Sequence, residues 1–486
     1  MRTRLSGSIV LSAWMLFASQ ALAQATEAEA DAFDLVATLG EGAPMTAERA
    51  AQRAQQVAPS IERAEALTRV SQAGVARARA LLWPRLELSA RVAHVDGFPD
   101  GVIGGMDPDA LAAAEDLAEM ITDPASRQLW TSYLAQQGRG GVFKIPRNQV
   151  GFSARLNWPV SDMFLAVFPS IDATEANLRA SQADREARNA RVRLSARENF
   201  FQLAHARGNL AVAQRAVLQT QAQQQAIDAG VRAGIRPPSE GASAASRVAL
   251  AERALSSAET AVDVADASLR SLLQDDEGPV YAISEPLLTP SAEPEPLKQL
   301  LDKARAQRPE VRGLRAAVEA RQLQSRGDQA AAYPHFGVYA GADYAMPNRY
   351  QLPPRSEFQP SWEIGAMLTY VPNDTLNADR KVTENSAQIA VLEAELRELL
   401  RALDLEVRRS RVTLAHSQRS IDAAKTAVVA AEAAYARRMA ELRAGQVVLA
   451  DVVAAEQELN AARLSMLDAG IDQQLARVRM AYALGE

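Results

Sequence analysis

Residues 81–95 read LLWPRLELSARVAHV, directly after a long Ala- and Arg-rich stretch with helical spacing. Pro84 cannot continue a helix, because it lacks a backbone N–H and its ring crowds the preceding turn. The next residues alternate: Leu86, Leu88, Ala90 and Val92 on one face, Arg85, Glu87, Ser89 and Arg91 on the other. That period of two predicts a strand with one apolar and one polar face.

The same switch occurs again. Pro59 and Pro84 are 25 residues apart, as are Pro309 and Pro334, and each pair brackets a helix-period stretch. After Pro334, the residues Phe336, Val338, Ala340, Ala342 and Tyr344 share a face. Each copy then has a second alternating run. One carries Phe152, Ala154, Leu156 and Trp158 and ends at Pro159; the other carries Trp362, Ile364, Ala366, Leu368 and Tyr370 and ends at Pro372. Further on, Leu-Ala-His at 203–205 and at 414–416 each precede an Arg-Ala-Gly tripeptide, with 29 residues from His205 to Gly234 and from His416 to Gly445. Between these landmarks Ala213, Ala216, Val217 and Ala222 match Ala424, Ala427, Val428 and Ala433 at a constant offset of 211. The helical pattern ends near Gln274 in one copy and Gly485 in the other. A chain written twice reads as one architectural unit used twice.

The spacings also locate an insertion. Pro84 to Pro159 is 75 residues and Pro334 to Pro372 is 38, so the extra length falls at about 97–148. That loop carries one helical stretch, DPDALAAAEDLAEMI. The expected division is a signal segment over 1–23 and a first helix–hairpin–helix repeat over 24–274, with strands near 85–95 and 149–158. A Pro-, Glu- and Ser-rich linker over 275–296 follows, then a second repeat over 297–486 with strands near 335–345 and 361–371.

Composition narrows the class. Aromatic residues are 5% of 486, too few for several ordinary globular cores, whereas alanine at helical spacing suits close packing along extended helices. Arg2 and Arg4, the apolar run from Gly7 to Ala18 and the small residues of Ala21-Leu22-Ala23 read as a secretory signal; a cytoplasmic protein with an apolar first helix is the other reading. No later apolar run approaches the roughly 18 residues of a spanning helix. The absence of cysteine excludes disulfides, thiolate metal sites and a cysteine nucleophile. A formal charge of −6 carries no nucleic-acid footprint. No catalytic spacing, phosphate loop or metal motif occurs, so neither enzymatic activity nor a cofactor is expected. His94, His205, His335 and His416 are read as packed or solvated rather than as metal ligands.

Four strands of about ten residues fit two architectures: a soluble pair of antiparallel hairpins, or a tilted membrane-crossing sheet. Trp83, Trp158, Tyr344, Trp362 and Tyr370 near the strand ends fit an interfacial aromatic girdle. An export signal without a spanning helix favours the membrane. There four strands leave two open edges, and three copies would close twelve strands into a barrel.

The duplicated unit, the prolines at strand ends and the run ELRAGQVVLADVVAAEQELNAARLSMLDAG resemble the TolC-like outer-membrane efflux proteins, over about 46–485. The resemblance implies an α+β fold: a long antiparallel α-helical coiled-coil barrel plus a transmembrane β-barrel, four strands per chain and twelve in a homotrimer. It implies a passive exit duct in the outer membrane of a Gram-negative bacterium, with a periplasmic helical domain gated at its tip. Its partners would be outer-membrane lipid, a periplasmic adaptor protein and, through that adaptor, an inner-membrane pump. The family's constriction carboxylate falls on Asp451, six residues past Gly445. Its next ring carboxylate is replaced by Ala454, and the tyrosine and arginine that lock some members closed fall on Leu442 and Val447. Glu240 stands six past Gly234 in the first copy. Asp451 can equally serve as a helix N-terminal acid. Arg232, Gly234, Arg443 and Gly445 form tip turns that an adaptor could meet, or serve turn geometry and the helix ends. Pro237-Pro238 implies a longer or stiffer first tip. The alternative function is a periplasmic coiled-coil scaffold or adaptor without a pore.

Overall fold

The computed structural model describes residues 42–97, 101–103, 108–137, 141–143, 146–234, 236–285, 295–352, 354–444 and 446–486. The expected signal segment, residues 286–294 of the expected linker, and Gly445 lie outside the described residues.

The first half contains β1 (Ala43–Met45), α1 (Ala47–Val57), α2 (Pro59–Ala80), β2 (Arg85–His94), β3 (Gly101–Ile103), α3 (Pro108–Glu119), α4 (Pro124–Gln137), β4 (Gly141–Phe143) and β5 (Asn148–Trp158). A short helical turn and a π-helical turn over 160–167 then lead into α5 (Phe168–Arg232), followed by α6 (Pro238–Leu273) and β6 (Tyr281–Ile283). The second half contains α7 (Leu297–Gln307), α8 (Pro309–Asp328), β7 (His335–Met346), β8 (Gln359–Thr369), α9 (Pro372–Arg443) and α10 (Leu449–Leu484). At 1.5 Å rise per residue, the 65 residues of α5 and the 72 of α9 each run about 100 Å.

The chain divides into two units. One holds residues through Val70, Arg179–Ala317 and Leu392–Glu486 and is built from helices apart from the short strands β1 and β6. Prolines punctuate it. Pro59 and Pro309 open α2 and α8, where a missing N–H costs nothing. The residues before them, Ala58 and Arg308, are extended, as a following proline demands. The preceding helices α1 and α7 are 11 residues each, and α6 and α10 are 36 each. Both long helices end in a left-handed residue, Gln274 (φ 50°) and Gly485 (φ 86°).

The two largest apolar clusters of this unit gather around the short helices. Ala50, Ala51 and Ala54 of α1 pack with Phe200, Phe201 and Leu203 of α5, Leu269 and Leu273 of α6, and Ile471 of α10. Leu300, Leu301 and Ala304 of α7 pack with Leu403 and Val407 of α9 and with Met480, Ala483 and Leu484 of α10. The large side chains gather beside the short helices, while alanines line much of the remaining helix length. That is how a composition poor in aromatics still builds a core.

The segment expected to be a linker is partly structured. Tyr281, Ala282 and Ile283 are buried and pair in parallel with Ala43, Pro44 and Met45. Alternation over three residues is too short to register as a strand in sequence.

The second unit holds Ser71–Leu178 and Val318–Val391. Its sheet has the order β2-β5-β7-β8, antiparallel throughout. The expected single helix of the inserted loop is joined by a second. Helices α3 and α4 pack through Leu111, Ala114, Ala118, Trp130 and Leu134, and β3 pairs with β4. The signal for α4 was present as Asp123-Pro124, an N-cap followed by a proline in the first turn. Asp123 accepts from the backbone N–H of Ser126 at 2.9 Å and from its hydroxyl at 2.6 Å, and these bonds hold its carboxyl below the ordinary value.

Candidate functional site

Register fixes the two faces of the sheet. Leu86, Leu156, Ala340 and Ile364 stand in one cross-strand row, with Leu88, Ala154, Ala342 and Trp362 in the next row of the same face. Ala90, Phe152, Tyr344 and Pro360 continue it. Leu88 is 72% exposed and Trp362 is 77% exposed. Trp83, Trp158 and Tyr370 lie where strands meet helices, and Tyr344, Phe358 and Trp362 lie toward the hairpin ends, so aromatics flank the apolar face on both sides. The opposite face carries Glu87, Arg155, Gly341 and Glu363 in one row and Ser89, Ser153, Asp343 and Ser361 in the next. An apolar face this large, left bare on the chain, implies a nonaqueous neighbour. A polar face behind it implies water.

The two outer strands, β2 and β8, each have one edge with no strand partner among the described residues. The chain passes alternately up and down through the sheet, so the first and last strands run in opposite directions.

The helical tips hold the carboxylates singled out in sequence. Residues 233–237 join α5 to α6, and 444–448 join α9 to α10. The first turn is therefore no longer than the second, so of the longer or stiffer tip that Pro237-Pro238 implied the longer one is not found. Pro238 occupies the first position of α6, where proline is at home, and Pro237 is its N-cap. Gly234 has φ 71°, a conformation open to few side chains, and its N–H donates to the Val231 carbonyl. Arg232 donates to the Asp228 carbonyl at 3.3 Å, within its own helix end. Arg443 closes α9 as Arg232 closes α5.

Glu240 and Asp451 are both third residues of their helices, yet they bond differently. Asp451 accepts from the Val448 N–H at 3.2 Å, which caps α10. The reciprocal half of a capping box is absent, since Val448 has no side-chain acceptor. At Glu240 the N-cap is Pro237, which has no N–H to offer. Its carboxylate instead accepts from Arg236 at 2.9 Å. Asp451 thus caps its own helix, whereas Glu240 carries a counter-charge instead.

Among the described residues no group of His, Asp and Glu could hold a metal ion, and no helix is long and apolar enough to cross a membrane. The histidines have local partners: His94 with Asn148, His205 with Asp468, His335 with Asp162, His416 with Arg419. At Asp468 burial raises the carboxyl's pKa against the opposing pull of His205.

One chain thus carries a two-faced antiparallel sheet, as a membrane barrel requires, and two helices about 100 Å long. The chain belongs to the outer membrane efflux protein family, whose sequence profile matches residues 124–274 and 300–486. It is an outer-membrane protein. Solved structures share its fold, three of them as follows. CusC, known for transmembrane channel formation, is 14% identical with a TM-score of 0.67, covering 90% of this chain and 92% of its own. The CmeC outer membrane channel of Campylobacter jejuni is 14% identical with a TM-score of 0.67, covering 90% and 85%. The outer membrane protein VceC of Vibrio cholerae is 16% identical with a TM-score of 0.64, covering 90% and 96%. No curated protein matches the chain in sequence.

Proposed function

We propose that three copies of this chain form the exit duct of a tripartite efflux or type I secretion system. The observation that carries the reading is the sheet: four antiparallel strands, apolar on one side and polar on the other, with both edge strands open. Open edges in hydrocarbon leave N–H and C=O groups unsatisfied at several kcal/mol each. Because β2 and β8 run in opposite directions, β8 of one copy can pair antiparallel with β2 of the next, and the ring closes. Two copies would give about eight strands, whose interior side chains fill. Three copies give twelve and leave a lumen lined by the polar face.

In this reading the helices of the first unit form the periplasmic tunnel. The repeat over 24–274 and the repeat over 297–486 arose by duplication; the equal lengths of α1 and α7 and of α6 and α10 support this. Asp451 rings the constriction threefold, while Glu240 is largely neutralised by Arg236 and contributes less field. The turns holding Arg232, Gly234, Arg443 and Gly445 face a periplasmic adaptor, which links the duct to an inner-membrane pump. The duct performs no chemistry and needs no cofactor. A pore-free periplasmic scaffold would have to keep Leu88, Val92, Trp362, Ile364 and Leu368 in water, where each is more than half exposed.

Single-channel recording in a planar bilayer tests the reading. Uniform steps with cation preference, reduced by Asp451→Asn, are expected. Recovery of the protein in the soluble periplasmic fraction rather than in the outer membrane would sink it.

A further inference from the structure

The turn between β7 and β8 does not point away from the sheet. Residues 348–350 fold back onto its polar face. Asn348 is 4% exposed; its side-chain amide donates to the Gln359 carbonyl at 2.8 Å and to the Ser361 hydroxyl at 3.0 Å. Its side-chain oxygen accepts from the Tyr350 N–H at 2.9 Å. Arg349 then reaches across the face, 3.1 Å from Asp343 on β7 and 2.9 Å from Glu363 on β8. Its guanidinium lies 4.8 Å from the Tyr350 ring centroid, and the Tyr350 hydroxyl donates to Glu363. Five bonds from three consecutive residues hold the turn on one face. The other end of the loop goes the opposite way: Phe358 stacks on Tyr344, which stands on the apolar face, with centroids 5.1 Å apart.

We propose that this turn is an inward collar that sets the width of the duct's outer mouth, with Arg349 as its latch. The inference rests on the reading of the polar face as lumen. A turn that packs on that face subtracts its own thickness from the opening, and three copies subtract it from three sides. Its partners Asp343 and Glu363 lie on paired strands, whereas Arg349 sits in the turn and is 44% exposed, so it is the member free to let go. Its ion pairs are open to screening, so the collar is expected to loosen as salt rises. The mouth would then be a size filter at the end of the barrel away from the helices, independent of the helical tips.

The chain has no cysteine, so one introduced thiol reports alone. Ser153, directly across from Asp343 in the register, stands on the same polar face, one strand over from the collar. Ser153→Cys is combined with Arg349→Ala, and separately with Glu363→Gln, in intact cells. A membrane-impermeant maleimide is applied from outside. Both combinations should label faster than Ser153→Cys alone, and purified Arg349→Ala should give larger conductance steps, in the parent and in a chain loosened at the tip by Asp451→Ala. Equal labelling rates with equal steps would overturn the collar and leave the duct intact. A correctly folded protein that gives no steps even with Asp451→Ala would bring down the duct reading, and the collar with it.

Discussion

The two halves of the chain close the same corner with different side chains. In the first half, Ala58 sits between α1 and α2, small and buried. The chain leaving α6 is tied down nearby by Arg270, which pairs with Asp266 and donates to the carbonyls of Gly278 at 2.6 Å and Pro279 at 2.9 Å. The Tyr281 hydroxyl donates to Asp275 in the same turn. In the second half, the position between α7 and α8 is Arg308, only 6% exposed. It donates to the Tyr482 carbonyl at 2.8 Å, pairs with Glu310 at 3.0 Å, and lies 4.3 Å from the Tyr482 ring centroid. Gly485 makes room for it: a β-carbon there would stand 3.0 Å from the Gln307 carbonyl carbon. One backbone plan thus tolerates two solutions, an apolar joint with a separate anchor or a buried cation that does both jobs. What the halves share is helix length and proline placement.

The comparison can be broken most forcefully at Arg308. Arg308→Ala removes the buried cation shared by Glu310 and Glu406 and one of the two donors to the Tyr482 carbonyl, and should cost about 3 kcal/mol. Urea unfolding of the detergent-purified protein followed by circular dichroism reads that loss; an effect below that of a surface arginine would show the two corners to be equivalent after all. Arg270→Ala should cost less, about 2 kcal/mol, because its carbonyl partners regain water more easily.

The same first-half corner has an alkaline signature. Burial, then the bond to Asp275, pushes the Tyr281 hydroxyl from 10.0 up to about 12. The fold therefore favours the neutral phenol. Its contribution is complete below pH 10.0 and fades as pH rises toward about 12. Tyr281→Phe should flatten that part of the stability profile, and an unchanged profile would count against the buried hydroxyl.

The tips give the smallest effects and the sharpest contrast. Asp451→Ala removes a helix cap and should cost α10 about 1 kcal/mol, seen as faster amide exchange in its first turn. Glu240→Ala removes only a half-exposed ion pair and should change α6 by a few tenths of a kcal/mol. Pro237→Ala supplies the N–H that Glu240 lacks. If the proline is what separates the two tips, this change should bring the exchange behaviour of α6 toward that of α10.

Much of the fold was legible because it is periodic. Alternation in LLWPRLELSARVAHV and its three counterparts marked where strands run, and prolines marked where helices begin. The offset of 211 aligned the two long helices. The candidate acids were legible too, since a third-residue carboxylate follows from its distance to the turn. The short parallel pair of β1 and β6, the helix α4 and the opposite engagement of Glu240 and Asp451 were not read. Each depends on a few residues without a repeating pattern, or on a single missing N–H.

The alternation of the sheet faces, the extent of the long helices and the places of the tips follow from local pattern, because backbone hydrogen bonding imposes those periods. The burial of Arg308 against Tyr482 and the packing of residues 348–350 on the polar face arise only in the folded chain. Arg308 meets Tyr482 across 174 residues, and Arg349 meets Glu363 only once two strands have paired. Contacts of that kind are fixed by packing and charge in three dimensions, and no local pattern encodes them.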